Sequence, residues 1–240
     1  MLEGPKLLAE ALAAGWPLEN VYFDSPESYE RFRRLAEQVV GSGASVDVLA
    51  EGVLKRVADA VNPQGVLAVA QLRNSDLADL PVSGFVVVCV EVADPGNLGT
   101  TLRAAAAAGA EAVVVCESGV DVFNPKTVRA SAGALFHVPV VAQVPAAEAL
   151  RLLGELGFRR VGAVASGGQP YDQVDMTGPT AIVLGSESHG IPSHAADELD
   201  VSVSIPMQPR SESLNVAMAG TVMCFEVARQ RRVVTIGANG

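Results

Sequence analysis

Cysteine and histidine are scarce, three of each in 240 residues. Cys89, Cys116 and Cys224 lie in apolar runs (VVVCV, AVVVC, VMCFEV) without metal-like spacing, and His137, His189 and His194 are as dispersed. A metal site needs its ligands clustered, so none is expected. An odd number of cysteines in apolar settings points to buried, reduced thiols and a cytoplasmic home rather than a disulfide framework. Long apolar runs are also missing. The longest candidate, 104–116, is alanine-rich and broken by Gly109 and Glu111, short of the ~20 residues that cross a bilayer. Met1-Leu2-Glu3 has no basic leader, so no signal peptide is expected. Positive charge is the third deficit: 17 Lys and Arg face 27 Asp and Glu, for a net charge of −10. Residues 1–83 and 84–240 each carry −5 of that charge. Phosphate contacts supply most non-specific nucleic-acid affinity, so a nucleic-acid partner would need a local basic patch.

What is present is a large apolar fraction, 49%, enough for one large or two modest cores. The pattern divides the chain. In 1–75, Leu7, Leu8, Ala11 and Leu12 recur at helical spacing, with Pro5 in the first turn and Gly15 at the stop. A strand is expected at 20–23, then a helix capped by Ser25 and running to about Val40. Strands at 45–49 and 65–71 flank a helix at 50–60. The chain starts directly at a helix, so a preceding strand or basic tail is expected to be missing. The carboxylates of this unit are scattered, as on a solvated surface. Residues 72–83 (LRNSDLADLPVS) are polar and aperiodic and read as a junction, with the linker at 76–83.

From Phe85 onward the pattern changes to near-continuous β-branched runs: 85–92, 112–116, 137–141, 160–165, 180–185 and 201–206. Helical stretches fall between them at 98–108, 125–134 and 146–156. Strands buried on both faces and alternating with helices predict an α/β unit at 84–240, a mostly parallel sheet covered on two sides.

Two of these runs end in polar loops. IVLGSESHG (182–190) and VSIPMQPRSESLN (203–215) each place a carboxylate beside hydroxyls, and the second opens an apolar helix from 216 to about 227 that Ser211 or Ser213 can cap. Loops at the carboxyl ends of parallel strands are where open α/β sheets bind ligands. A third loop, ADPGNLG (93–99), precedes a helix in which Arg103 is the only charge between Asp94 and Glu111. It fails as a dinucleotide fingerprint, because G-x-G-x-x-G needs glycine where Leu98 stands. Judged alone, the loop also reads as a plain turn with a helix cap. A nucleophile elbow is absent from GSESHG. His137 sits in an apolar run and reads as a core residue, and His194 as a surface helix start.

Taken together, DPGNLGTTLRAAAAAG (94–109), LGSESHGIP (184–192) and IPMQPRSESLNVAMA (205–219) resemble the three signature motifs of the SpoU family of RNA ribose methyltransferases, within the SPOUT superfamily. EGPKLLAEAL (3–12) and VNPQGVLAVAQ (61–71) resemble the small ribosomal-protein-like RNA-binding domain that many members carry in front. The resemblance implies S-adenosylmethionine bound in a C-terminal trefoil knot, a homodimer through the C-terminal domain, and methyl transfer to a ribose 2′-hydroxyl. By motif match Leu184, Gly185, Glu187, Gly190, Ile205, Met207 and Leu214 would hold the cofactor. Asn97, Arg103, Glu187, Ser213 and Asn215 would form the polar catalytic set, with Asn97 and Glu187 orienting Arg103 and the loops. Arg103 would clamp the target phosphate and, as a possible addition, accept the proton. Ribosomal RNA is the favoured substrate. Transfer RNA is the variant within the class, and a catalytically idle RNA-binding factor is the alternative outside it. Two departures stand out: Ser188-His189 where small residues are usual, and Gln208-Pro209 in place of a glycine. A basic face made by Arg103, Lys126, Arg129 and Arg210 would offset the acidity.

Overall fold

The computed structural model describes residues 1–208 and 213–238. Its first part is a four-stranded sheet with helices. In chain order come β1 (Leu2–Glu3), α1 (Pro5–Ala13), β2 (Leu18–Phe23), α2 (Pro26–Arg31), α3 (Arg33–Gly41), β3 (Ser45–Val48), α4 (Val53–Val57) and β4 (Val66–Ala70). The strand order is β1-β4-β2-β3, with β3 parallel to β2 and β4 antiparallel to both β2 and β1. Ser25 caps α2 as expected, its hydroxyl accepting from Ser28 N at 3.2 Å. The single helix expected up to Val40 is broken at Phe32, which packs against the core.

Two expectations for this unit are corrected. A strand does stand at the start: Leu2 pairs with Ala68 across β4. Two residues are too few to carry a period. The helix expected at 50–60 shrinks to α4, because Ala58 is extended and the next N–H groups, of Asp59 and Ala60, donate to the Glu3 carboxylate at 2.7 and 3.0 Å.

The second part holds β5 (Phe85–Cys89), α5 (Pro95–Ala108), β6 (Ala112–Cys116), α6 (Pro125–Ala130), β7 (Val140–Val144), α7 (Ala146–Glu155), β8 (Arg159–Ala163), β9 (Gln169–Pro170), β10 (Thr180–Leu184), α8 (Ser193–Ala196), β11 (Val201–Ser204) and α9 (Val216–Ala238). Its seven strands run β7-β6-β5-β10-β8-β11-β9, and every described pairing is parallel. Alternate residues explain the unbroken apolar runs. Val87, Val113, Ile182 and Leu184 face α5 and α9, while Val86, Val114, Ala181 and Val183 face α7 and α8. Burial of both faces removes the polar alternation that a half-exposed strand would show. The thiols of Cys89, Cys116 and Cys224 are buried in this core. Burial pushes Cys116 and Cys224 up to about 12, and raises Cys89 as well.

The junction is packed rather than loose. Leu77 and Leu80 are buried in the α7 layer, Ser75 N donates to Val140 O at 2.8 Å, and Ala142 N donates to Asn74 Oδ1 at 2.8 Å. Trp16 meets Phe136 edge to face at 5.2 Å. His137 is not a core residue. It is exposed after a 3-10 turn at Ala134–Phe136, with Nε2 2.9 Å from a Glu10 carboxylate oxygen. The turn displaces the strand expected at 137–141 to Val140–Val144.

Candidate active site

Strands β5, β8, β10 and β11 deliver their following loops to one edge of the sheet. The loops after β8, β10 and β11, with the start of α9, enclose a cavity of about 560 Å³. All seven residues expected to hold a cofactor line it. Leu184, Gly185, Glu187 and Gly190 come from the β10 end, and Ile205, Met207 and Leu214 from the segment between β11 and α9. Gly185 is fixed by packing, since a Cβ there would lie 2.2 Å from the Gly190 carbonyl carbon. The loop is closed on itself by Ser186 and Gly190, whose backbones exchange hydrogen bonds of 2.9 and 3.0 Å. His189 lines the cavity while exposed, its Nδ1 2.8 Å from the Ser188 hydroxyl.

The polar set divides in two. Asn97 Nδ2 donates to Glu187 at 2.8 Å, and Asn215 Nδ2 donates to Asn97 Oδ1 at 2.9 Å. One side chain thereby joins three segments far apart in sequence. Glu187 also accepts from the N–H groups of Ala93 and Asp94 at 3.3 and 3.4 Å. Burial pushes its carboxyl up, but the hydrogen bonds from Asn97 and the backbone outweigh that and hold it below the ordinary carboxylate range. Glu187 is therefore an anion at neutral pH.

Asp94 caps α5, accepting from Asn97 N at 2.8 Å. For α9 the cap is Asn215, whose Oδ1 accepts from Ala217 N at 2.9 Å. Ser213 lines the cavity without capping the helix, and Ser211 lies outside the described residues.

Asn97 and Glu187 tie the loops together as expected, but neither bonds to Arg103. It is exposed on α5 and makes no hydrogen bond or ion pair with any described residue. At ~100° per residue, six positions carry it about 120° around the helix from Asn97. The proposed basic face is also incomplete, because Arg129 pairs with Glu3 at 3.5 Å and Arg210 lies outside the described residues. Sequence reasoning missed the loop after β8. Ala163, Val164, Ala165 and Ser166 wall the cavity, and the only signal was the Ser-Gly-Gly that ends that strand. It also missed Ala219 and Met223, one and two turns into α9.

Strand-end loops that enclose a cavity, with an amide-bridged carboxylate beside it, define a small-molecule site of the parallel α/β class. The chain belongs to the SpoU rRNA methylase family of RNA 2′-O-ribose methyltransferases: residues 84–225 match that family's model, and residues 1–75 match the model for RNA 2′-O ribose methyltransferase substrate binding. Among its relatives is the 23S rRNA (uridine(2479)-2′-O)-methyltransferase of Streptomyces viridochromogenes, 32% identical over 96% of this chain and 83% of that protein. The 23S rRNA (guanosine(2553)-2′-O)-methyltransferase of Bacillus subtilis is 32% identical over 78% of this chain and 73% of that protein. A solved AdoMet-bound rRNA methyltransferase from Sinorhizobium meliloti superposes with a TM-score of 0.84 at 31% identity, covering 95% of this chain and 85% of that one.

No helix among the described residues is long and apolar enough to cross a membrane. No described cluster of His, Cys, Asp and Glu could hold a metal.

Proposed function

We propose that the chain transfers the methyl group of S-adenosylmethionine to a ribose 2′-hydroxyl of 23S ribosomal RNA. The observation that carries this is the Glu187–Asn97–Asn215 chain of hydrogen bonds beside the 560 Å³ cavity. The names of the relatives support the substrate. The cavity fits the cofactor: Ile205, Met207 and Leu214 offer apolar walls, and the tight Gly185–Gly190 turn offers backbone groups at its edge. When bound, S-adenosylmethionine supplies a methyl group already activated on a sulfonium, so the chemistry calls for no metal.

The residues of the chain have the remaining tasks. Asn97 holds the β10 loop and the α9 start in register through Glu187 and Asn215. Ser213 and Asn215, at the opening of α9, are placed to position the ribose. Arg103, a guanidinium on the same helix as Asn97 with no partner among the described residues, clamps the phosphate of the target nucleotide. That contact brings the hydroxyl into line, and alignment is a large part of what a poor nucleophile needs. Two domains divide the work, 1–75 gripping RNA and 84–240 carrying out transfer, with 76–83 between them. The trefoil knot belongs to this reading. It is supported by β10 lying between β5 and β8 and by the return of the segment after β11 to the β10 loop.

A second copy of the chain completes the molecule. Met218 and Phe225 stand exposed seven residues apart on α9, at 61% and 44% of their surface, two turns along one helix face, an apolar pair of the kind a partner covers.

Calorimetry with S-adenosylhomocysteine and a map of 2′-O-methyl sites in 23S rRNA test the proposal. One cofactor site per chain and one ribose methyl lost on deletion of the gene are expected. No binding at millimolar ligand, or an unchanged map, would overturn it.

A further inference from the structure

We propose that a second cavity, between the first unit and α6, takes an unstacked base of the RNA substrate near the methylated nucleotide. The inference rests on RNA being the substrate. The cavity measures about 320 Å³, the small end of the ~300–1,000 Å³ usual for ligand sites. It suits one base or nucleoside and excludes a duplex. Leu7, Leu54 and Val66 form an apolar floor, buried from solvent. Asn62 and Gln64 stand at the wall, and their carboxamides make no hydrogen bond with any described residue. Each offers a donor and an acceptor on one planar group, the pairing that reads base edges.

The charge at the cavity has the sign a phosphodiester needs. Glu3 is the one acid in the lining, and it is already engaged by Asp59 N, Ala60 N and Arg129. Lys6 is the cation in the lining that makes no ion pair with any described residue, and Arg129, whose Nη1 lies 3.5 Å from Glu3 Oε2, balances the one acid, so the lining keeps one net positive charge. On a chain of net charge −10, backbone attraction is weak, so affinity for RNA has to come from local contacts of this kind.

Position ties the cavity to the site. Arg129 and Ala132, which line it, bracket Ala130 and Ser131. These two press on α5 at Gly99, where a Cβ would lie 2.4 Å from Ala130 Cβ and 2.8 Å from Ser131 N. Gly99 lies between Asn97 and Arg103 on α5. The α6 segment alone therefore lies between the cavity lining and α5.

The test uses the full chain with two probes. The four ribonucleoside 5′-monophosphates are titrated while the Asn62 and Gln64 side-chain amides are followed by NMR. An unmodified 23S rRNA transcript is titrated by filter binding. Ala60→Trp, at a half-buried cavity wall, fills the space, and Asn62→Ala combined with Gln64→Ala removes the amides. At least one nucleotide should shift both amides saturably, and the shift should vanish in Ala60→Trp. Both variants should weaken transcript binding about tenfold and leave the S-adenosylhomocysteine affinity within about twofold. The proposal is overturned if no nucleotide moves the amides or if the transcript binds both variants as it binds wild type. A nucleotide that binds without any effect on the transcript would make this a free-nucleotide site and equally overturn it. Transcript and nucleotide binding that behave as expected in a protein that methylates nothing would instead sink the methyltransferase reading and leave the cavity standing.

Discussion

Asn97 commits both ends of its amide to other motif residues, Nδ2 to Glu187 and Oδ1 to Asn215, whereas Arg103 on the same helix bonds to none of the described residues. Substitutions at the two should therefore fail differently. Arg103→Ala removes no bond to a described residue and installs the better helix former. Its S-adenosylhomocysteine affinity should stay within about twofold while kcat falls roughly 10²-fold, the loss expected when a transition-state contact is removed. Asn97→Ala releases two loops that wall the cavity. Cofactor affinity should then weaken about tenfold, or ~1.4 kcal/mol, in the range of one lost intramolecular hydrogen bond. Calorimetry paired with single-turnover methylation separates the cases. Equal losses of cofactor affinity in both variants would make Arg103 structural and remove it from the mechanism.

Among the elements, α9 has two jobs. Met223, Cys224 and Val227 are fully buried against the sheet, and Met223 also walls the cavity. Phe225, on the other side, is nearly half exposed. Phe225→Glu should leave cofactor affinity unchanged and convert a dimer of about 50 kDa into a species near the 24.8 kDa of one chain, read by light scattering at micromolar concentration. A wild-type chain already at the monomer mass would remove the dimer from the proposal. The strands show how far sequence reading reaches. Strands β5, β6 and β10 were legible because two-sided burial leaves an unbroken β-branched run. Strands β1 and β9 were not, since two residues hold no period and exist only through their neighbours. Helix α4 was overestimated because Glu3, more than fifty residues away, takes the N–H groups that would have extended it. The same logic applies at the site. Its three motif loops carried distinctive polar residues, while the wall after β8 is alanine and valine up to Ser166, which look like core until the sheet is folded.

At the scale of the whole molecule, the core of the first unit runs without interruption into the α5 face of the second, and a small set of contacts fixes how the two meet. Trp16 is central to them. Its ring lies edge-on to Phe136 at 5.2 Å, its Nε1 donates to Gln71 O at 2.8 Å, and the Arg73 guanidinium sits 5.3 Å from its ring centroid. His137 Nε2 also meets a Glu10 carboxylate oxygen at 2.9 Å and Arg129 pairs with Glu3 at 3.5 Å, but partly exposed polar pairs contribute little by themselves. Trp16→Ala should cost about 2 kcal/mol, below the ~3–5 of a fully buried aromatic because Trp16 is only half-buried. None of the cavity walls of the methyl-transfer site includes a residue before Ala163. S-adenosylhomocysteine affinity should therefore be unchanged, while the KM for ribosomal RNA rises several-fold as the RNA-gripping unit loses its fixed relation to α5. Scanning calorimetry should show the single unfolding transition expected where both units share one core split into two, the first unit melting earlier. A variant that keeps one transition and an unaltered KM would show that the shared core, and not the Trp16 contact, sets the geometry on which RNA is presented.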